Sequence, residues 1–303
     1  SLGKNPKSSR VSRATEARIK NILGINQLDL MPAHAARAFE LASDPKSTTS
    51  DFVAVIESDE ALSARIVRVA NSVYFYRGSQ ATDIEKAVAN IGLDELRCLL
   101  TAAMLKSLLL GKGNARKQVW ANAVATAVIC RGLARRFPNM SIGEAFLAGL
   151  VHDVGKLVML RRAPDLYEKV LNEVTISEKT FLAAEEEIYE LNHVEVGQWV
   201  AETWHFPESV IAAIASHHNA WPKDPNTLKT TQDLGLLVHI SDTMAHAGAI
   251  GHQSPLARLK KLHEGELCKC FPLLGVSFGE GMNLIQTFAG EFEKQYGLYQ
   301  NEA

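Results

Sequence analysis

Gly149-Leu150-Val151-His152-Asp153-Val154-Gly155-Lys156 sets a His-Asp pair and a lysine inside a run that is otherwise apolar. A buried imidazole or carboxylate left without a partner is costly, so such groups are normally paired or bound to a metal. The segment opens at Ser141 with Glu144 three residues on, the pattern of a capping box. Phe146, Leu147, Leu150, Val151, Val154, Leu157 and Val158 then supply core-facing positions, which predicts one helix over 141–161. His152 and Asp153 fall about three turns into it, at ~3.6 residues per turn. Neighbouring helical positions differ by ~100° in direction, so both side chains lean toward one point and Lys156 lies near the same face. Such a point can hold a metal ion or a phosphate.

Helical spacing of apolar residues continues along nearly the whole chain, with no sustained strand-type alternation, and the fold class is all-α. Helices are predicted over 32–43, 51–57, 60–72, 83–91, 94–110, 115–136, 165–174, 178–190, 193–204, 207–217 and 233–247. Thr82 with Glu85 reads as another capping box, and Pro207 suits the first position of its helix. After Gly248 the pattern degrades through Gly, His and Pro breaks until an amphipathic segment at 280–297, where Leu284, Ile285, Phe288, Phe292 and Tyr296 share a side. The resulting organisation is a basic tail or linker over 1–24, helical parts over 25–112 and 113–248, and a C-terminal helical extension over 249–303.

Bulk properties narrow the function classes. With 303 residues, 47% of them hydrophobic, the chain is globular. A net charge of −2 carries no whole-chain signal for nucleic acid, which is held by clustered Lys and Arg. Residues 1–20 hold six basic side chains against Glu16, leaving the remainder at −7. No aromatics are interleaved there, so a solvated tail is the simpler reading and no nucleic-acid partner is expected. Cys98 and Cys130 sit in apolar runs as small core residues, and Cys268-Lys269-Cys270 is a weak metal or redox hint. No apolar run approaches the ~18 residues of a membrane span, so no membrane contact and a reducing cytoplasm are expected. Residue 1 is Ser rather than Met, which leaves an upstream extension open.

The His-Asp pair has company. His193 opens a helix as His193-Val194-Glu195-Val196-Gly197, His217 and His218 close another, and Asp242 lies within Leu236-Leu237-Val238-His239-Ile240-Ser241-Asp242. Each has a plain alternative: His193 as a cap, His217 and His218 against the negative end of a helix, Asp242 with a core partner. Side chains from facing helices can nonetheless converge on a metal, as in bundle proteins. Imidazole with carboxylate suits Fe, Mn or Zn. Such a centre polarises a phosphoryl oxygen and acidifies bound water, with Lys156 placed to neutralise phosphate charge as a catalytic group. His34, His205, His239, His246, His252 and His263 are assigned to the surface or ordinary packing.

These residues resemble the HD superfamily of metal-dependent phosphohydrolases and, more closely, the HDOD domain, the HD-related output domain of bacterial signalling proteins. The likeness runs from about Leu28 to Ala247. It is carried by Asp59-Glu60-Ala61-Leu62-Ser63-Ala64-Arg65-Ile66-Val67-Arg68-Val69-Ala70-Asn71-Ser72-Val73-Tyr74, by Ile91-Gly92-Leu93-Asp94-Glu95-Leu96-Arg97, by Trp120, and by the His motifs above. The resemblance implies an N-terminal helical subdomain packed on an HD-like bundle. Two departures stand out: Asn122 where an HD enzyme places its first His, and Asn219-Ala220-Trp221-Pro222 where HD-GYP phosphodiesterases carry their signature. His193, His217 and His218 resemble the extra ligands of that second group. The resemblance therefore implies a regulatory, non-catalytic module acting through signalling proteins. A retained metal site would use His152, Asp153, His193, His217, His218 and Asp242. The alternative is a phosphohydrolase or cyclic-dinucleotide phosphodiesterase using the same centre. A third reading makes the polar residues a purely structural network.

Overall fold

Short polar side chains decide where most helices begin. Ser12, Thr48, Asp59, Asp83, Ser141, Thr180, Asn192 and Asp233 each accept a hydrogen bond from the backbone N–H three residues on. Each thereby satisfies a donor that the first helical turn leaves unpaired. The computed structural model describes residues 10–26, 36–37, 40–41, 44, 46–109, 113–177, 179–222, 224, 226–230, 233–251 and 257–300, without the side chains of 107–109, 229–230 and 257–264. Among the described residues the secondary structure is helical and no strand occurs.

In chain order the helices are α1 (Arg13–Ile22), α2 (Thr49–Glu57), α3 (Glu60–Ala70), α4 (Ile84–Ile91), α5 (Leu93–Leu109), α6 (Asn114–Ala134), α7 (Ile142–Val151) and α8 (Val154–Arg162). They continue as α9 (Pro164–Ser177), α10 (Phe181–Tyr189), α11 (His193–Thr203), α12 (Glu208–Ser216), α13 (Thr227–Thr230), α14 (Leu234–Ala247), α15 (Ala257–Leu273) and α16 (Phe278–Tyr299). They form two compact units, residues 1–30 with 109–288, and residues 31–108 with 289–303. None among the described residues is long and apolar enough to cross a membrane.

The smaller unit packs α2, α3 and α4 against one another. Asn71 clasps the loop after α3, its side chain donating to the Ala81 carbonyl and accepting from the Ala81 N–H. Arg97 is buried over the Phe52 ring and donates to the carbonyls of Leu41, Asp44 and Ser47. The last part of α16 joins this unit through Tyr299 to Glu95 and Gln295 to Tyr74.

In the larger unit α6 is buried from Trp120 to Arg131, as a central helix that is apolar nearly all round must be. It packs on α7 and α14, while α11 packs on α8 and α12. Gly149 and Gly155 make the approaches around the His-Asp pair possible. A Cβ on Gly149 would come within 2.8 Å of the Ala127 Cα, and one on Gly155 would strike the His193 carbonyl oxygen.

Several expectations need correction. The helix predicted over 141–161 is broken at His152-Asp153: α7 ends at Val151, Asp153 adopts φ −102° and ψ 18°, and α8 starts at Val154. The two residues are a corner between helices, which lets both side chains face the same interior point. Part of the basic tail is helix α1, with Ile19 fully buried, Arg18 paired to Glu195 at 2.5 Å and the Val11 N–H on Glu202. The stretch after Gly248 contains α15, where Leu267, Cys270, Phe271 and Leu273 are buried. That apolar stripe outweighs the ~1 kcal/mol helix cost of Gly265, and Pro272 comes one residue before the helix end. Residues kept together as a 249–303 extension are shared between the units, dividing after Phe288. Asp83, not Thr82, caps α4, and Pro207 precedes the first helical residue of α12. The helix predicted over 32–43 lies mostly outside the described residues, as do His34 and His252.

Candidate metal centre

Four helix ends of the larger unit meet at one point. Asp153 comes from the α7–α8 corner, His193 opens α11, and His217 and His218 follow α12. One ligand atom from each lies within 4.8 Å of the other three. Asp153, His193 and His217 are buried. Asp153 Oδ1 is 3.3 Å from His193 Nε2 and 3.9 Å from His217 Nε2, and His218 Nε2 is 2.9 Å from His193 Nε2. His152 and Asp242, also predicted as ligands, stand beside this cluster rather than in it. His152 Nε2 lies 3.4 Å from Asp153 Oδ2 and 3.5 Å from Asp242 Oδ1. Asn122 is buried and donates through Nδ2 to Asp242 Oδ1 at 3.2 Å.

The imidazoles are held from behind. Nδ1 of His152 faces the Gly149 carbonyl at 2.7 Å, Nδ1 of His217 the Ile214 carbonyl at 2.8 Å, and Nδ1 of His193 the Glu185 carboxylate at 2.6 Å. These acceptors require Nδ1 to carry a proton, so a ring in its neutral form turns the Nε2 lone pair to the interior, the arrangement that positions metal-ligating histidines. Two lone pairs then face the anionic Asp153 Oδ1. Among the described residues neither Oδ1 of Asp153 nor Nε2 of His152 or His217 has a hydrogen-bond partner. A cation in the cluster would remove the repulsion and give Asp153 Oδ1 and His217 Nε2 a partner. Three imidazoles and a carboxylate fit a tetrahedral first-row ion such as Zn, Fe or Mn.

The electrostatics follow from burial and neighbours. Burial disfavours charge on Asp153, yet Lys156 and His152 hold its carboxyl well below the usual range. Lys156 Nζ donates to Asp153 Oδ2 at 2.6 Å and lies 4.4 Å from the centre of the Phe181 ring. Burial opposes the charge of Lys156 as well, but Asp153 and Glu185 raise it. Burial and the neighbouring His218 push His217 well down, and burial with His193 brings His218 to about 3, so both imidazoles are neutral at pH 7. His152 goes the other way, with Asp153 and Asp242 overcoming burial to lift it to about 10.

Three participants escaped the sequence reading. Glu185 is fully buried and accepts from Tyr167 Oη, the His193 N–H and His193 Nδ1. His239 is buried with Nδ1 on the His217 carbonyl at 2.7 Å. His246 Nε2 approaches Asp242 Oδ1 at 3.4 Å. The two histidines were detectable from their spacing on α14, at minus three and plus four from Asp242. Glu185 sits in the run Glu185-Glu186-Glu187 and carries no such signal. Cys268 is exposed and Cys270 buried, neither of them in a disulfide, and His205 is exposed.

The profile of the HDOD domain family matches residues 28–220. This chain belongs to the HDOD domain family. An uncharacterised protein of Treponema pallidum (strain Nichols) is 29% identical over 207 residues, 68% of this chain and 40% of that protein, so the chain spans about two fifths of that relative. The HDOD fold is shared with an HDOD domain protein of unknown function from Geobacter sulfurreducens, with TM-score 0.72, 22% identity, and 95% and 98% of the two chains covered. It is also shared with a protein of Marinobacter aquaeolei VT8 provisionally named for signal transduction, at TM-score 0.68, 20% identity and 97% and 66% coverage. A Shewanella amazonensis SB2B protein provisionally named a phosphohydrolase aligns at TM-score 0.66, with 21% identity and 95% and 96% coverage.

Proposed function

We propose that this HDOD chain is a regulatory module of bacterial signalling that acts through protein partners and holds a first-row metal ion without turning over a substrate. The observation that carries this reading is the completeness of the donor set. Asp153, His193, His217 and His218 supply four ligand atoms at one point. Structural four-coordinate sites are closed in this way, whereas catalytic sites keep a position for water. Lys156, the cation at hand for a phosphate, is buried and committed to Asp153. An ion in this shell would tie the starts of α8 and α11 to the end of α12, and its binding energy would become folding energy.

Elemental mass spectrometry of protein purified without chelators tests the reading. Tightly held Zn, Fe or Mn is expected near one per chain, lost in His217→Ala, with no hydrolysis of bis(p-nitrophenyl) phosphate by the loaded protein. An empty wild type overturns the metal site. The second reading, a phosphohydrolase or cyclic-dinucleotide phosphodiesterase, is favoured by the buried, unpartnered Nε2 of His152. Phosphodiester hydrolysis that disappears in Asp153→Ala would establish it in place of the first.

A further inference from the structure

The larger unit holds a cavity of about 250 Å³ that shares no residue with the metal cluster and is lined by Arg10, Glu202, His205, Phe206, Glu208 and Ile211. The corner between α11 and α12 shapes it. There the Phe206 N–H donates to the Ala201 carbonyl at 2.9 Å and the His205 N–H to the Glu202 carbonyl at 3.2 Å, the pairing of a Schellman turn. His205 takes φ 55° in the place where glycine is commonest. A side chain kept at such a position points to a use for it. Glu202 is already engaged, since it accepts the Val11 N–H and the Gln198 amide, which holds residue 10 beside the corner. Phe206 and Ile211 are buried and give the cavity an apolar wall. Among the described residues the side chains of Arg10, His205 and Glu208 make no hydrogen bond or ion pair. A guanidinium and a carboxylate thus face one small space without neutralising each other. A ligand of one charge would meet a like charge there, whereas a zwitterion with an apolar part matches every wall. The volume lies below the about 300–1,000 Å³ of drug-sized sites, which suits a molecule the size of one amino acid.

We propose that this cavity binds a free α-amino acid with an apolar side chain. Arg10 and His205 take the carboxylate, a planar guanidinium being suited to that group. Glu208 takes the ammonium group, and Phe206 and Ile211 receive the side chain. The ligand joins Arg10 to the α11–α12 corner and so fastens the segment leading into α1 against the helix that opens at His193. Binding needs no ion in the Asp153 cluster.

The test is calorimetric titration of the full chain with L-leucine, L-valine and L-methionine, beside N-acetyl-L-leucine, which lacks the ammonium group, and L-leucine amide, which lacks the carboxylate. A single site for L-leucine is expected, with each blocked analogue weaker by about tenfold or more, the loss of one charge-assisted hydrogen bond. Arg10→Ala and Glu208→Gln should weaken L-leucine to the same degree. Both side chains are exposed and unpaired, so the urea midpoint should stay at the wild-type value. His205→Gly suits the left-handed backbone and should unfold no earlier than wild type while binding L-leucine more weakly. Amide exchange over α1 should slow on saturation with L-leucine. No binding of the three amino acids at millimolar concentration would overturn the site. Blocked analogues that bind as tightly as L-leucine would overturn the zwitterion as its ligand. Full affinity in Arg10→Ala and Glu208→Gln alike would move the binding out of this cavity, and unchanged exchange over α1 would overturn the bridge to the N-terminal segment.

Discussion

Replacing Glu185 by Gln tests whether the carboxylate behind His193 tunes the metal centre or only fills space. Glu185 Oε2 accepts the His193 N–H at 2.8 Å and faces Nδ1 at 2.6 Å, while Oε1 accepts Tyr167 Oη at 3.0 Å. Gln keeps the shape and one good acceptor. With its oxygen turned to His193, its amide donates to Tyr167 Oη, and the Tyr167 hydroxyl proton loses its acceptor at about 1–3 kcal/mol. What disappears is charge assistance in the bonds to His193, about 1 kcal/mol per bond from the difference between charged and neutral hydrogen bonds. Burying a neutral group offsets part of that loss. A destabilisation of about 2–4 kcal/mol is expected for the metal-free chain. Metal affinity should fall about 10–100-fold, as for other groups that orient a ligand. Glu185→Ala would instead orphan three buried donors at about 1–3 kcal/mol each, enough to threaten a fold worth about 5–15 kcal/mol. Urea unfolding without metal, together with competition for Zn²⁺ against a chromophoric chelator, reads both quantities. A stability loss with affinity within twofold of wild type would refute the argument and reduce Glu185 to a packing residue.

Gly155→Ala should cost about 1–3 kcal/mol in urea unfolding, because the added methyl overpacks the α8–α11 approach at the His193 carbonyl; a loss below 0.5 kcal/mol, on the order of ordinary surface changes, would contradict that packing. Lys156→Met removes one partner of a buried pair and should destabilise the metal-free chain by about 3–5 kcal/mol. The deficit should shrink when Zn²⁺ supplies positive charge beside Asp153, and a deficit unchanged by Zn²⁺ would count against a cation bound there. The metal-free chain should be most stable near pH 6.5, the ordinary histidine value to within about half a unit. His217 and His218 are depressed in the folded chain, so below that value the unfolded chain takes protons first and stability falls by up to about 1.4 kcal/mol per pH unit for each. His152 is raised to about 10, so its contribution is complete below the unfolded value and is lost as pH rises through the folded one. Urea midpoints rising steadily from about pH 5 to pH 9 would contradict this balance of His shifts.

Local signals carried much of this. Helix starts at Thr48, Asp59, Ser141, Asn192 and Asp233 are marked by caps that act within three residues. The apolar stripe of α16 is similarly local: Ile285, Phe288 and Phe292 are buried at helical spacing. His193, His217 and His218 stood out because imidazoles at helix ends within apolar surroundings are conspicuous, and with Asp153 they are the four of the six predicted ligands that converge as one cluster. The break at His152-Asp153 was not legible, since Val151, Val154 and Leu157 keep helical spacing across it. Its cause lies in the helix that packs there: Gly155 sits against the His193 carbonyl, and α8 must leave the axis of α7 to reach it.

By itself the sequence determined the all-α class, the family and the chemical character of the centre, because periodicity, caps and side-chain type are properties of short stretches of chain. Which oxygens and nitrogens face one another was decided only by tertiary structure. Glu185 reads as one of three exposed glutamates until α10 carries it beneath His193, and His246 reads as a surface residue until α14 brings it beside Asp242. Convergence of donors depends on how distant helices pack, and no local pattern encodes that distance.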